Sequence, residues 1–131
     1  MAWFSERLDN SDVFGAFRGS ELVGVAGFAV YEGAKDAHKG RLWGMYVRSD
    51  ARRGGVGRRL VEAVLDLARQ RVELIQLSVV SDNEAALRLY ESLGFVEYGI
   101  EKHALKQDSR YYDEILMAKD LEPFDLQSVR P

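Results

Sequence analysis

A chain of 131 residues with 47% hydrophobic side chains, a net charge of −3 and no cysteine can build one self-sufficient core, burying roughly two thirds of the surface its unfolded form would expose, but is too short for two domains. Lack of cysteine excludes a disulfide framework, a thiolate zinc site and a cysteine nucleophile, and makes the cytoplasm the expected compartment. No apolar run approaches the roughly 18 residues of a membrane helix, MAWFSERLDN has no signal-peptide pattern, and the acidic balance argues against a dedicated nucleic-acid binder.

Residues 3–9, with Trp3, Phe4 and Leu8, read as the last turns of a short helix, and Asn10, Ser11 and Asp12 as a polar break. Val13 to Arg18 alternates as a strand, Gly19 and Ser20 supply a hairpin turn, and Glu21 to Tyr31 returns as a longer valine-rich strand. After a polar loop from Gly33 to Gly40, RLWGMYV (Arg41 to Val47) is apolar enough for a strand buried on both faces. From Val56 to about Arg71 the apolar positions Val56, Leu60, Val61, Val64, Leu65, Leu67 and Ala68 form the stripe of an amphipathic helix. Leu74 to Val80 is a second buried strand. A further helix begins after Ser81, where Ser81 and Glu84 have capping-box spacing, and stops at Gly94. Phe95 to Leu105 and Tyr111 to Lys119 form a last hairpin across Gln107 to Arg110.

The order strand, strand, strand, helix, strand, helix, strand, strand predicts an α/β fold with a mixed central sheet and flanking helices. A single domain over 1–131 is expected, with its core at about 13–121.

Charge is concentrated between Arg48 and Arg59, where five arginines and one aspartate give +4 and leave −7 for the rest of the chain. Within this stretch Arg52, Arg53, Gly54, Gly55, Val56, Gly57 and Arg58 sit between a strand and a helix. Unpaired amides and the helix dipole there favour an anion, and the glycines permit close approach, which describes a pyrophosphate cradle. A bare glycine pair also fits an ordinary strand-to-helix turn with surface arginines. The nucleoside-triphosphate loop is excluded because Gly57 is followed by Arg58 and Arg59 rather than Lys and Ser or Thr. The dinucleotide fingerprint fails at Leu60, where it needs glycine or alanine.

Arg52, Gly55 and Gly57 do fit the pattern of Arg or Gln, two residues, Gly, one residue, Gly or Ala. Together with the strand ending at Met45, Tyr46 and Val47 and the run SDNEAALRLYESLGF from Ser81 to Phe95, the chain resembles the GNAT superfamily of N-acetyltransferases over roughly residues 13–121. The resemblance implies that Met45, Tyr46 and Val47 pair through their backbone with the pantetheine arm of acetyl-coenzyme A. It also implies that amides from Arg53 to Arg58 hold the pyrophosphate with arginine side chains available to phosphate oxygens, that Asn83 contacts the cofactor, and that Tyr90 protonates the departing thiolate. No metal is required. Read from the residues alone, Asn83 is also a helix cap and Tyr90 a core aromatic on an apolar helix face.

The acceptor implied is a primary amine of a small molecule, amino acid or peptide, which attacks the thioester directly. Because an alkyl ammonium of pKa ~10.4 is less than about 0.1% neutral at pH 7, something must take its proton. Relatives often place a glutamate on one of the two strands flanking the first helix; LWGMYV has none and Ser78 stands where some carry it. Glu32, His103 and the run Tyr111, Tyr112, Asp113, Glu114 are candidates, as is a chain of waters. Ala104 to Met117 resembles a subgroup acting on small amines or amino acids.

GNAT proteins usually begin with a strand and one or two helices that wall the acceptor site, and only residues 1–12 precede Val13 here. The chain is therefore expected to lack the usual N-terminal strand and helix. An uncovered edge on the strand Val13 to Arg18 would invite pairing into a homodimer. A non-catalytic acyl-coenzyme A-binding module is the alternative function. Nucleic-acid binding through the arginine cluster is disfavoured, because those arginines are confined to one loop and helix start.

Overall fold

The computed structural model describes residues 1–121. Pro123, Pro131 and the remainder of the expected 1–131 domain lie outside the described residues. The elements in chain order are β1 (Ala2–Leu8), β2 (Ser11–Arg18), β3 (Glu21–Val30), β4 (Lys39–Val47), a 3-10 turn (Ser49–Gly54), α1 (Val56–Ala68), β5 (Leu74–Val80), α2 (Glu84–Ser92), β6 (Val96–Gln107) and β7 (Arg110–Asp120). They form one seven-stranded sheet in the order β1-β2-β3-β4-β5-β7-β6. Only β4 and β5 run parallel. The mixed sheet with flanking helices is the architecture expected from the sequence.

The N-terminal residues correct one expectation. Residues 2–8 are a strand, not helical turns, and pair with β2 from Ala2↔Phe17 to Leu8↔Ser11 across a turn in which Asp9 adopts φ 51. Apolar residues as sparse as Trp3, Phe4 and Leu8 suit either element, and the partner strand decides. The Phe4 ring lies over Gly15, where a Cβ would collide with it, and meets Phe17 at 5.4 Å. The edge of β2 is therefore covered, and the free edge that motivated a homodimer belongs to β1. No helix precedes β2 among the described residues, and β1 is only seven residues long. No described helix is long and apolar enough to cross a membrane.

Helix α1 buries Val56, Leu60, Val61, Val64, Leu65 and Ala68, the stripe read from the sequence, and ends at Ala68 rather than Arg71. Its approach to the sheet is close because β3 carries Gly24, where a Cβ would lie 2.9 Å from Val56 Cγ1 and 3.0 Å from Leu60 Cδ1. Alternation along the strands then assigns each side chain to a face. Ala26 and Phe28 of β3, Leu42 of β4, Ile75, Leu77 and Val79 of β5 and Met117 of β7 share the α1 face and are buried. Helix α2 lies on this face too, since Gly57 at the start of α1 sits against Leu89 and Arg58 bonds Ser92. The opposite face carries Val25, Trp43, Tyr46, Ser78 and Glu114, which are half-buried or exposed.

Strand β4 departs from the expectation of burial on both faces. Of its residues only Gly40 and Leu42 are buried, and Tyr46 is 55% exposed. The apolar sequence that suggested an interior strand instead borders an open groove.

Candidate active site

That groove arises from the sheet itself. Strands β4 and β5 pair only at Lys39↔Leu74, Gly40↔Ile75 and Arg41↔Gln76, then diverge. On its other side β4 stays joined to β3 through Val47↔Gly24, but with a bulge: Tyr46 and Trp43 oppose Val25 and Gly27, leaving Gly44 and Met45 against Ala26 alone. Gly44 has φ 63, which only glycine adopts without strain inside a strand. From Leu42 to Val47 the β5-facing backbone groups of β4 thus have no strand partner. The gap is a cavity of about 710 Å³ between β4, β5 and the starts of both helices.

At one end of the gap is the turn into α1. Gly55 caps the helix with φ 76 and ψ 13, and no side chain caps it. The first helical bond runs from Arg59 N to Gly55 O at 3.1 Å, so the amides of Gly55, Val56, Gly57 and Arg58 have no helical acceptor. A Cβ on Gly57 would stand 3.2 Å from Met45 Cε and 3.4 Å from Leu89 Cδ2, whereas one on Gly54 or Gly55 would meet nothing within 4 Å. Helix, strand and second helix therefore converge at Gly57, while the glycine turn before it is open.

The arginines of this segment divide by what they already hold. Arg48 pairs with Glu21 and with Asp50, which it keeps below the usual carboxylate range. Arg52 Nε donates to Val47 O at 3.0 Å, tying the turn to the end of β4. Arg58 donates to Ser92 Oγ at 2.6 Å, and Arg59 lies 4.6 Å from the Trp3 ring centroid. Arg53 has no hydrogen bond or ion pair among the described residues and lines the groove, leaving its guanidinium fork free for an anion.

Asn83 is the cap of α2, its side-chain oxygen accepting from Ala86 N at 3.1 Å. This corrects the capping box expected at Ser81: the helix starts two residues later. Asn83 also lines the groove, so cap and cofactor contact are compatible uses of one amide. Losing the cap in Asn83→Ala is expected to cost about 1 kcal/mol, read as a lower urea midpoint with unchanged slope.

Tyr90 is 4% exposed, packs edge-on against Phe95 at 5.7 Å, and lines the groove. Burial pushes its phenol up to about 12. Among the described residues the only sealed side-chain polar atom without a partner is Trp43 Nε1, so the Tyr90 hydroxyl retains access to the groove.

Met45, Tyr46, Val47, Arg52, Arg53, Gly55, Gly57, Arg58, Asn83 and Tyr90 all line this one cavity. Gly54 lies outside the lining, and the Val56 side chain is 2% exposed in the core, leaving only its amide toward the turn. Among the lining residues that sequence reasoning missed are Trp43, Gly44 and Leu89. The glycine inside an apolar strand was the available signal for the bulge.

Comparison with known proteins shows the family. The model of the acetyltransferase (GNAT) family matches residues 1–95. The chain belongs to the GNAT family.

It is 36% identical over 95 residues to the [ribosomal protein bS18]-alanine N-acetyltransferase of Escherichia coli strain K12, covering 72% of this chain and 63% of that one. It is 39% identical over 97 residues to the mycothiol acetyltransferase of Streptomyces scabiei strain 87.22, covering 73% of this chain but 29% of the relative. The crystal structure of ribosomal-protein-alanine N-acetyltransferase from Brucella melitensis superposes with TM-score 0.77 at 31% identity, covering 86% of this chain and 70% of that one.

This GNAT chain places the candidate bases unequally. Glu32 accepts from Asn10 Nδ2 at 3.2 Å, away from the cavity lining. His103 stacks on Tyr111 at 4.4 Å, and Asp113 accepts from the His103 amide at 2.9 Å, which holds the carboxyl below its usual range. Glu114 alone of these lines the groove.

Proposed function

We propose that this chain transfers the acetyl group of acetyl-coenzyme A to a primary amine of a small molecule, amino acid or peptide by direct attack. The observation that carries the reading is the junction of an uncapped, glycine-opened helix start with a gap between two parallel strands. Amides of Gly55 to Arg58, with Arg53 beside them, are suited to a diphosphate. The unpaired edge of β4 from Leu42 to Val47 can bond an extended amide-bearing arm as a sheet bonds an added strand.

The gap joins the two faces of the sheet. Gly57, Asn83, Leu89 and Tyr90 meet it from the helix face, and Trp43, Tyr46, Ser78 and Glu114 from the opposite face. Thioester and amine can thus approach from opposite sides and meet between β4 and β5, with Tyr90 near the departing sulfur. The relatives' names point to an alanine of a ribosomal protein and to mycothiol, and neither acceptor is assigned to this chain.

Thermal unfolding tests the cofactor half. Acetyl-coenzyme A at 100 times its dissociation constant is expected to add about 2.7 kcal/mol, raising Tm by about 8 °C. A panel of amines, amino acids, polyamines and peptides assayed for thiol release tests the other half. Binding without release from any acceptor would favour the acyl-coenzyme A-binding module, and no thermal shift would overturn both readings.

A further inference from the structure

We propose that Glu114 takes the proton from the incoming ammonium, supplying the base that the sequence left unassigned; this rests on the acetyl-transfer reading above. Glu114 is the one carboxylate among the residues lining the groove. It lies on β7 opposite Val80, and the next pair on the same face is Ser78↔Leu116. Its carboxylate is therefore a diagonal neighbour of Ser78, reaching from the adjacent strand the region where a glutamate at position 78 would stand.

Three features suit Glu114 to this role. It has no hydrogen bond or ion pair with any described residue, whereas Glu32 and Asp113 are already engaged. It is half-buried, which leaves water a route to carry the proton away. It faces Glu101 across the strand pair, a carboxylate and not a cation that would occupy it. Lys102 of β6 pairs with Asp113, and Arg52, Arg53 and Arg58 line the same groove from the turn into α1. Tyr112, two residues along the same face of β7, is covered by Arg110 at 4.9 Å, and β5 contributes only Ser78 and Val80.

The proton inventory closes. The ammonium gives one proton to the Glu114 carboxylate, and the neutral nitrogen then attacks the thioester carbonyl carbon, forming the C–N bond. As the C–S bond breaks, the nitrogen loses its second proton and the sulfur gains one through the Tyr90 hydroxyl. Products are the amide, the free thiol and one proton, which Glu114 releases to water.

The test compares wild type, Glu114→Gln, the double variant Ser78→Glu with Glu114→Gln, and the control Glu97→Gln on the other face of β6, using the best acceptor from the amine panel between pH 7 and 10. Glu114→Gln is expected to lower kcat/KM about 100-fold at pH 7, with the deficit narrowing as pH approaches the amine's own pKa. Its thermal shift with acetyl-coenzyme A should match wild type, which separates the loss from misfolding. The double variant should recover at least tenfold, because it returns a carboxylate to the same face one strand over, and Glu97→Gln should stay within threefold. A Glu114→Gln profile that overlays wild type at every pH overturns the assignment while acetyl transfer stands. Wild type that binds acetyl-coenzyme A but releases no thiol with any amine overturns acetyl transfer itself, and the role of Glu114 with it.

Discussion

Gly55→Val is expected to abolish cofactor binding at concentrations that saturate the wild type. Gly55 holds φ 76 at the cap of α1, and a β-branched residue is strongly disfavoured there, at a cost of roughly 1–2 kcal/mol. Space is not the obstacle, since a Cβ would meet nothing within 4 Å. The backbone is. To relieve the strain the turn must rotate, and the amides of Gly55 to Arg58 then no longer converge. Losing two charge-assisted bonds of about 1.5–3 kcal/mol each weakens binding by roughly 100-fold or more. Calorimetry with acetyl-coenzyme A should show no heat for the variant, whose circular dichroism stays that of a folded α/β chain. Wild-type affinity in Gly55→Val would mean that the glycine turn is not the anion site.

Tyr90→Phe is expected to lower kcat by about 100-fold to 1000-fold while leaving the acetyl-coenzyme A thermal shift intact. The hydroxyl is the only group removed, and the ring keeps its packing on Phe95. With its phenol up to about 12, Tyr90 is a weaker acid than free tyrosine. Under the proposed acetyl transfer its contribution therefore falls while the C–S bond is breaking, when it can hand a proton to sulfur and receive one from nitrogen.

The same shift predicts a stability signature. A folded pKa above the unfolded value of about 10 means that the folded chain binds the proton more tightly. Stability from this group is complete below pH 10 and is lost as pH rises from about 10 to about 12. Over that window Tyr90→Phe should lose less stability than wild type in urea titrations. Equal losses would place the hydroxyl in water rather than in the buried position seen here.

Some of this was legible in the order of residues. The apolar stripe from Val56 to Ala68, the glycine turn before it and the run from Ser81 to Phe95 are local patterns, each interpretable within a few residues. They mark the open turn before α1, and with the family resemblance they single out Asn83 and Tyr90, which line the same groove. Other features depend on distant partners. Trp3 and Phe4 form a strand because Phe17 and Gly15 lie across from them. RLWGMYV borders a groove because β5 leaves it after three pairs. Which arginine remains free was equally hidden, since Arg52 is occupied by a carbonyl five residues back and Arg58 by a serine on another helix.

By itself the sequence determined the family resemblance, the alternation of strands and helices from β2 onward and the glycine turn before α1, because spacing, glycine and helix periodicity act over one or two turns of chain. Tertiary structure alone decided that β1 is a strand, that β4 and β5 part, and that Glu114 rather than Glu32, His103 or Asp113 reaches the opening. Those outcomes depend on register and on which face each side chain takes. Both are set by pairing between strands far apart in sequence, where moving by one residue would reverse every side chain.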